Sequence, residues 1–319
     1  MLPSFENPGA DDALTARLRD HVERLAGLIG PRHMGKPSTI DATVAYIERE
    51  LTAIGDKVER QTYPVDGQQA INLVVERPGG AGGAGGAGTK RSGEIVILGA
   101  HYDTVPTTPG ADDNASAVAV LIEAARLTRD MTAARSASRS PARTIRFVAF
   151  ANEEPPHFYT DTMGSQVYAR QCRARGDNIV GMLCLEMVGY YRDEPDSQGI
   201  PPGIPKMLRF AFPKRGNFLA AVGNMKSMRL GWSFRRGFKR ATKFPLFSIS
   251  LPEAIQEIRL SDNASFWNQG YPALMLTDTS FLRNPHYHLP TDMPNTLDYP
   301  RMAKVAQGVA SGVMRCAGG

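Results

Sequence analysis

The feature that most constrains this chain is a series of short apolar runs separated by segments with helical spacing. The runs cover residues 94–100, 144–151 and 180–187, and the helical segments 116–128 and 164–173 lie between them. Continuous apolar strands joined by helices form a largely parallel sheet that is buried on both faces. We therefore predict an α/β fold, a three-layer sandwich in which helices cover both faces of a mostly parallel mixed sheet.

Flanking segments extend this pattern in both directions. Before it, helical spacing over 13–29 and 38–54, with Ser38 as the N-cap of the second helix, precedes a strand pair at 58–65 and 71–76. After it, we predict strands at 218–222, 244–249 and 271–276 and helices over about 225–242 and 298–316. The 319 residues are predicted to form a single domain, with flexible loops near 79–90 and 131–143.

Composition excludes several classes of protein. The longest apolar runs fall far short of the ~20 residues that a membrane-spanning helix needs, so no membrane partner is expected. The first residues form neither a basic nor an apolar signal region, and we expect a cytoplasmic protein unless a leader has been removed. Three cysteines are too few for a disulfide framework, and each is expected to be a buried small apolar side chain: Cys172, Cys184 and Cys316.

Positive charge is concentrated in one segment. The chain has 37 Lys and Arg against 32 Asp and Glu, but 11 basic and no acidic residues lie within 206–243. Aromatic residues interleaved with these cations more often pack a helix onto a core than bind bases, and no nucleic-acid partner is expected. We expect the segment to overhang the functional site and attract acidic substrates through Arg235, Arg236, Lys239 and Arg240.

Acidic and histidine side chains follow four of the predicted strands. Binding sites in open α/β sheets lie outside the carboxyl ends of the strands, so these side chains are expected to converge. They are, in chain order, His101, Asp103, Asp112, Asp113, Glu153, Glu154, Glu186, His286, Tyr287, His288 and Asp292.

This set of residues is typical of a metal site. Neighbouring carboxylates raise one another's pKa unless a cation neutralises them. A mixture of imidazole and carboxylate suits zinc or a similar divalent ion, whereas calcium and magnesium favour oxygen ligands alone. Because the set contains no cysteine, we expect a catalytic site with open coordination positions rather than a closed structural zinc site.

At these residues the sequence resembles the M28 family of zinc aminopeptidases, whose sites hold two co-catalytic ions. The resemblance runs from about Gly99 to Tyr299 and implies a metal-dependent aminopeptidase that acts on a peptide or aminoacyl substrate with two zinc ions. Its motifs are GAHYDTV, PGADDNASAVAVLIEAARL, FVAFANEE, LCLEMVG, SDNASFWNQGYPALMLTDT and NPHYHLPTDMPNTLDY.

The resemblance also implies the metal ligands. His101 and Glu186 would bind one zinc ion, His288 and Glu154 would bind the other, and Asp113 would bridge the two. A bridging carboxylate can hold two cations about 3.5–4 Å apart, so that both polarise a shared water.

Three further residues take catalytic roles in this interpretation. Glu153 would be the general base that accepts the proton of the water and returns it to the leaving amine. Tyr287 would donate a hydrogen bond to the developing oxyanion. Asp103 would hold His101 through its second ring nitrogen. The peptide bond between Asp113 and Asn114 is expected to be cis, as in the family.

Departures from the family pattern leave alternatives open. Glu186 stands where many members have aspartate, which affects occupancy of the second metal position, and Asn263 stands where histidine is common. His286 could compete with His288, although the family's Tyr-His pair matches His288.

Two other functions remain: a glutaminyl-cyclase-like amide cyclisation or other amidohydrolase reaction on the same fold, and a non-catalytic binding protein. The oligomeric state is not indicated by the sequence.

Overall fold

The computed structural model describes residues 8–80, 91–134 and 141–318. Within these ranges, eight strands form one sheet in the order β1-β2-β4-β3-β5-β8-β6-β7. The strands are β1 (Val58–Val65), β2 (Gln68–Arg77), β3 (Glu94–His101), β4 (Thr144–Phe150), β5 (Asn178–Glu186), β6 (Leu219–Asn224), β7 (Leu246–Leu251) and β8 (Ala273–Thr277).

The centre of the sheet is parallel. Strand β3 pairs in parallel with β4 and β5, and β5 pairs in parallel with β8. The antiparallel pairs lie toward the edges, between β1 and β2, β2 and β4, and β6 and β8, while β7 is parallel to β6. The predicted mixed α/β sheet is therefore confirmed, and the three apolar runs are its central strands.

Seven α-helices accompany the sheet in the described residues. Two π-helical turns, Glu23–Ile29 and Ala111–Ser116, adjoin the first and third of them. The helices are α1 (Pro8–Val22), α2 (Pro37–Ala53), α3 (Ala117–Ala133), α4 (Gly164–Arg175), α5 (Met228–Ala241), α6 (Asn263–Asn268) and α7 (Tyr299–Cys316).

Two details of the predicted helices differ from the structure. Helix α2 begins at Pro37, whose fixed φ suits the first helical turn, and Lys36 occupies the N-cap without a side-chain hydrogen bond. Ser38 is thus inside the helix, and the prediction that it is the N-cap was wrong. Helix α6 was not predicted, because its six residues are too few to display a helical period.

The sheet separates two apolar cores, and strand β3 contributes side chains to both of them. Val96, Leu98 and Ala100 pack with helices α1, α2, α3, α5 and α7 on one face of the sheet. The alternate residues Ile95 and Ile97 pack with α4 and α6 on the other face. Because successive side chains of a strand point to opposite faces, one apolar run supplies both cores of the three-layer sandwich.

Several other expectations can be compared with the structure. All three cysteines are free and buried, as predicted. The predicted loops near 79–90 and 131–143 fall largely on 81–90 and 135–140, which lie outside the described residues, although Met131–Ala133 complete helix α3. Within the described ranges, no helix is both long and apolar enough to cross a bilayer.

Helix α5 packs closely against α7 because α7 carries glycines at the contact. Phe234 lies over Gly312 and Phe238 over Gly308, and a Cβ at either glycine would be 2.4 Å from the nearest ring carbon. Both rings are fully buried. A larger side chain at these glycines would therefore push the two helices apart.

We predict that Gly312→Ala lowers the free energy of unfolding by about 1–3 kcal/mol, because the added methyl group overpacks the contact. Gly93→Ala is the control, since a Cβ there has no neighbour within 4 Å among the described residues. Urea unfolding measures both variants. Equal stability of the two would show that the contact between α5 and α7 is loose.

Candidate metal centre

The carboxyl edge of the central strands collects the predicted ligands. His101 is the last residue of β3 and Glu186 the last of β5. Glu154 follows β4 by a few residues, Asp113 lies in the π-helical turn before α3, and His288 lies on the loop after β8. All except His288 are buried, and its side chain is 30% exposed.

Asp113 lies between the two histidines and presents one oxygen to each. Its Oδ1 is 3.4 Å from Nε2 of His101, and its Oδ2 is 3.1 Å from Nε2 of His288. Glu186 Oε2 is 3.3 Å from the first histidine, and Glu154 Oε2 is 3.3 Å from the second. The carboxylate of Asp113 thus joins two groups of potential ligands.

Glu153 also belongs to this arrangement. Its Oε2 is 3.9 Å from Nε2 of His101, and it forms a compact donor group with His101 and Glu186. Asp113, Glu154 and His288 form a second such group. The structure therefore brings all five predicted ligands and the predicted base together.

The donor atoms at the centre fit divalent cations. Four of them are buried without a hydrogen-bond partner, although carboxylate and imidazole atoms lie close by: His101 Nε2, Asp113 Oδ1, Glu154 Oε1 and His288 Nε2. Buried polar atoms without hydrogen bonds are rare and require an explanation. Lone pairs directed at a shared metal ion supply one, and this set of imidazole and carboxylate donors suits zinc.

The electrostatics of the centre agree with this fit. Burial raises the pKa of Glu154 to about 8, and the charge of Asp113 adds to the effect. Burial, together with the charges of Glu154 and Glu186, raises the pKa of Glu153 well above its usual range, although His101 opposes the shift. Burial lowers the pKa of His288, but its contacts with Asp113 and Glu154 outweigh burial and raise it to about 10. Carboxylates held this close therefore favour a neutralising positive charge.

Asp103 contacts the backbone that follows β4 as well as the ring of His101. Its two carboxylate oxygens accept hydrogen bonds from the backbone N–H groups of Glu153 and Glu154, each at 3.0 Å. His101 Nδ1 is 3.6 Å from Asp103 Oδ1 and hydrogen bonds instead to the Asp103 carbonyl oxygen at 3.3 Å. The ring nitrogen therefore lies within ion-pair distance of the carboxylate, where the predicted contact places it, and it also contacts the main chain.

Asp292 makes similar backbone contacts next to Asp113. Its carboxylate accepts hydrogen bonds from the backbone N–H groups of Asp112, at 2.9 Å, and Asp113, at 3.1 Å. The peptide bond between Asp113 and Asn114 is cis, as expected. The Asn114 side chain donates to Leu185 O and accepts from Met187 N, so it fastens this turn to the end of β5.

The contacts of Ser261, Asn263 and His286 concern the departures from the family pattern. Ser261 Oγ donates to Glu186 Oε2 at 2.6 Å, and the adjacent Asp262 is buried, which raises its pKa to about 7. Asn263 is directed elsewhere, because its amide donates to Ile258 O. His286 Nδ1 lies 2.9 Å from Thr291 Oγ1 and belongs to neither donor group in the described residues.

An apolar cavity of about 180 Å³ opens beside the centre. Asp113, Glu154, Glu186 and His288 lie at one end of it, and Tyr287 stacks on His288 with ring centroids 3.8 Å apart. Its walls are mostly apolar and include Phe158, Phe218, Val222, Phe247, Ile249 and Phe281.

The cations of the basic segment lie away from this cavity. Arg235, Arg236, Lys239 and Arg240 on α5 line a separate hollow together with Arg315 of α7, and none of them borders the apolar cavity. The prediction that these four residues overhang the site was therefore wrong. Phe212 and Phe218, from the same segment, do line the cavity.

Arg32 is a buried residue that hydrogen bonds to several loops around the centre, and the sequence analysis did not predict this role. It is fully buried, and burial lowers the pKa of its guanidinium to about 10, so the group remains charged at neutral pH. Its backbone N–H donates to Thr104 Oγ1, and Thr104 N donates back to Arg32 O. The guanidinium donates to five carbonyl oxygens, those of Leu25, Gly30, Tyr102, Pro109 and Gly110.

These contacts fix the chain directly after one candidate ligand and shortly before another. Tyr102 directly follows His101, and Gly110 lies three residues before Asp113. A single arginine at the end of an apolar helix pattern gives no sequence signal of such a role, because all five acceptors are main-chain atoms.

Fold and site together define an α/β protein with two adjoining groups of potential metal ligands at the carboxyl edge of its parallel strands. The model of Peptidase family M28 matches residues 84–313, and the chain belongs to this family. The protein YfbL of Escherichia coli K12, itself uncharacterised, is 34% identical over 301 residues, which cover 92% of this chain and 85% of that protein.

Other relatives carry functional names. Leucine aminopeptidase 1 of Trichophyton equinum is 29% identical over 236 residues, 71% of this chain but 56% of the fungal protein. The solved zinc aminopeptidase of Bacillus subtilis has a TM-score of 0.66 at 15% identity over 94% of both chains. The glutaminyl cyclase of Fimbriiglobus ruber has a TM-score of 0.63 at 18% identity over 94% of this chain and 95% of that chain. At such low identity these two structures share the fold alone.

We predict that Arg32→Met lowers the free energy of unfolding by about 3 kcal/mol or more, because five carbonyl oxygens, three in buried and two in partly buried hydrogen bonds, lose their donor. Arg24→Met, at an exposed position eight residues earlier, is the control and should leave stability unchanged. Chemical unfolding of both variants tests this. Arg32→Lys should give an intermediate loss, since an ammonium cannot reach all five oxygens. An unaltered midpoint for Arg32→Met would contradict the assigned role.

Proposed function

We propose that this protein is a zinc-dependent aminopeptidase that hydrolyses N-terminal peptide bonds at a dinuclear centre. The observation that carries the proposal is the placement of the Asp113 carboxylate, with one oxygen facing His101 and the other facing His288. Membership of a peptidase family and the names of the aminopeptidase relatives support it.

Five residues would hold the two ions. His101 and Glu186 belong to one side of the centre, Glu154 and His288 to the other, and Asp113 to both. Bound zinc ions in such a site polarise the scissile carbonyl and lower the pKa of a bound water.

Glu153 is the proposed general base. It is buried beside the ligands, and burial raises the pKa of its carboxyl group, the direction that favours a residue that must both accept and hold a proton. It would accept a proton from the attacking water and deliver it to the leaving amine. Its main chain is fixed by Asp103, which keeps the carboxylate in place during both transfers.

Tyr287 is the proposed donor to the oxyanion. Burial raises the pKa of its phenol, so the hydroxyl keeps its proton at neutral pH and can donate it in a hydrogen bond. Stacking on His288 holds the ring at the edge of the centre. A donor aimed at the developing negative charge stabilises the tetrahedral intermediate.

We predict that Glu153→Gln lowers kcat for a leucyl substrate by about 10² to 10⁴-fold without loss of zinc, because the amide cannot accept the proton of water. The control is Glu59→Gln, which removes an exposed carboxylate on β1. Steady-state kinetics and metal analysis of the same preparations measure both effects. Loss of zinc along with activity would make Glu153 a ligand, and undiminished hydrolysis would remove it from the mechanism.

The apolar cavity predicts the side chain of the residue that is removed. Aromatic and aliphatic walls favour leucine, methionine or phenylalanine over charged residues, since a charge there would lose its hydration without a partner. We expect kcat/KM for leucyl p-nitroanilide to exceed that for the glutamyl or lysyl compound by at least about tenfold, with all activity lost in chelator. A preference for charged residues would contradict the assignment of the cavity.

A glutaminyl-cyclase-like reaction is the second candidate, because a solved cyclase shares the fold over almost the full length of both chains. Incubation with matched peptides that begin with Gln or Leu separates the two. Release of free leucine supports the aminopeptidase, and pyroglutamate formation supports the cyclase. Absence of both products in zinc-loaded protein would favour a non-catalytic binding protein.

A further inference from the structure

Helix α5 has two faces of opposite character. Leu230, Phe234 and Phe238, spaced four residues apart, pack into the core against α7. Arg229, Trp232, Arg236 and Lys239 follow one another on the opposite side and are all exposed. The apolar face of this amphipathic helix is already occupied, so the outward face is available for a different kind of contact.

The outward face is a continuous cationic surface, which we define by Arg229, Arg235, Arg236, Lys239 and Arg240 of α5 and Arg315 of α7. These six residues and Trp232 surround a hollow of about 670 Å³. Among the described residues, none of the six makes an ion pair with a carboxylate. Positive charge is therefore concentrated here and left uncompensated by the protein.

The charge of the rest of the chain makes this surface distinctive. Acidic residues are absent from 206–243 and outnumber basic residues over the remaining sequence. A positive face on an otherwise mildly acidic molecule orients it toward an anionic surface, because the far side is repelled. The surface is also separate from the cavity of the metal centre, which shares no lining residue with it.

Trp232 lines the same hollow and is 61% exposed. Tryptophan is enriched at membrane interfaces, where its ring rests at the level of the lipid headgroups. Arginine guanidinium groups bind phosphate through paired hydrogen bonds. An exposed indole surrounded by guanidinium groups therefore matches the phosphodiester and glycerol layers of a phospholipid surface.

We propose that the cationic surface docks this protein onto an anionic phospholipid membrane. This is peripheral contact, which needs no membrane-spanning helix, and it revises the expectation from hydropathy that no membrane partner exists. The occupant is a lipid surface rather than a single-stranded nucleic acid, because nucleic-acid grooves provide successive aromatic platforms for stacking. Trp232 is the single aromatic side chain among the described residues that line the hollow.

The test is co-sedimentation of the full-length protein with vesicles of equal parts phosphatidylglycerol and phosphatidylcholine, at low and high salt. We expect binding at low salt that weakens as salt rises, and no binding to phosphatidylcholine alone. The chain has two tryptophans, and Trp267 is 7% exposed, so a blue shift of fluorescence on binding reports Trp232. Trp232→Phe should abolish the shift while vesicle binding persists.

The decisive variant changes Arg235, Arg236, Lys239 and Arg240 to Gln. Each cation near an anionic membrane contributes about fivefold to partitioning, so the quadruple variant should bind at least about a hundredfold more weakly. The matched control neutralises four exposed cations outside the cationic surface: Arg24, Lys36, Arg173 and Lys304. It should bind like the parent protein.

Three results would overturn the proposal. These are failure of the parent protein to bind anionic vesicles at low salt, equal weakening by the two quadruple variants, and tighter binding to a single-stranded oligonucleotide than to vesicles. Hydrolysis of soluble substrates should be unchanged in the α5 variant, including KM for acidic peptides. The outcome is therefore independent of the proposed peptidase function.

Discussion

Electrostatic repulsion among carboxylates at the carboxyl edge of the sheet is the constraint to which the surrounding structure responds. Asp113, Glu153, Glu154 and Glu186 are brought within a few ångströms of two imidazoles, in an environment from which water is largely excluded. Burial and mutual charge raise the pKa of two of these groups, so the arrangement is costly unless cations neutralise it. Folding must therefore hold these side chains in place through interactions outside the cluster itself.

Those interactions are mostly hydrogen bonds to the main chain. The carboxylate of Asp103 binds the backbone N–H groups of Glu153 and Glu154, and that of Asp292 binds those of Asp112 and Asp113. Arg32 fixes three carbonyl oxygens of the segment between His101 and Asp113, together with two in the turn that precedes Arg32 itself. Buried polar groups that are fully hydrogen bonded make a site rigid, and a rigid site can hold ligands at fixed spacing without collapse of the repelling charges.

Negative and positive side chains are concentrated in two separate regions of the molecule. Negative groups gather at the carboxyl edge of the sheet, while the cations of α5 gather on the cationic surface, and the two regions have no lining residue in common. The proposed hydrolysis at one region and the proposed membrane attachment at the other can therefore be tested independently. The close packing of Phe234 and Phe238 on the glycines of α7 is what turns the charged side of α5 outward.

The sequence determined the central strands, the mixed α/β fold and the residues that meet at the carboxyl edge, because apolar runs and their polar ends are local patterns that a parallel sheet must align. Tertiary structure alone decided that Asp103 holds the backbone of Glu153 and Glu154 and that Arg32 organises the loops around the centre. It also decided that the basic helix α5 lies away from the centre and that the six residues Asn263–Asn268 form helix α6. Such contacts join residues up to 180 positions apart and often involve main-chain atoms, which are alike in every residue and leave no trace in local periodicity.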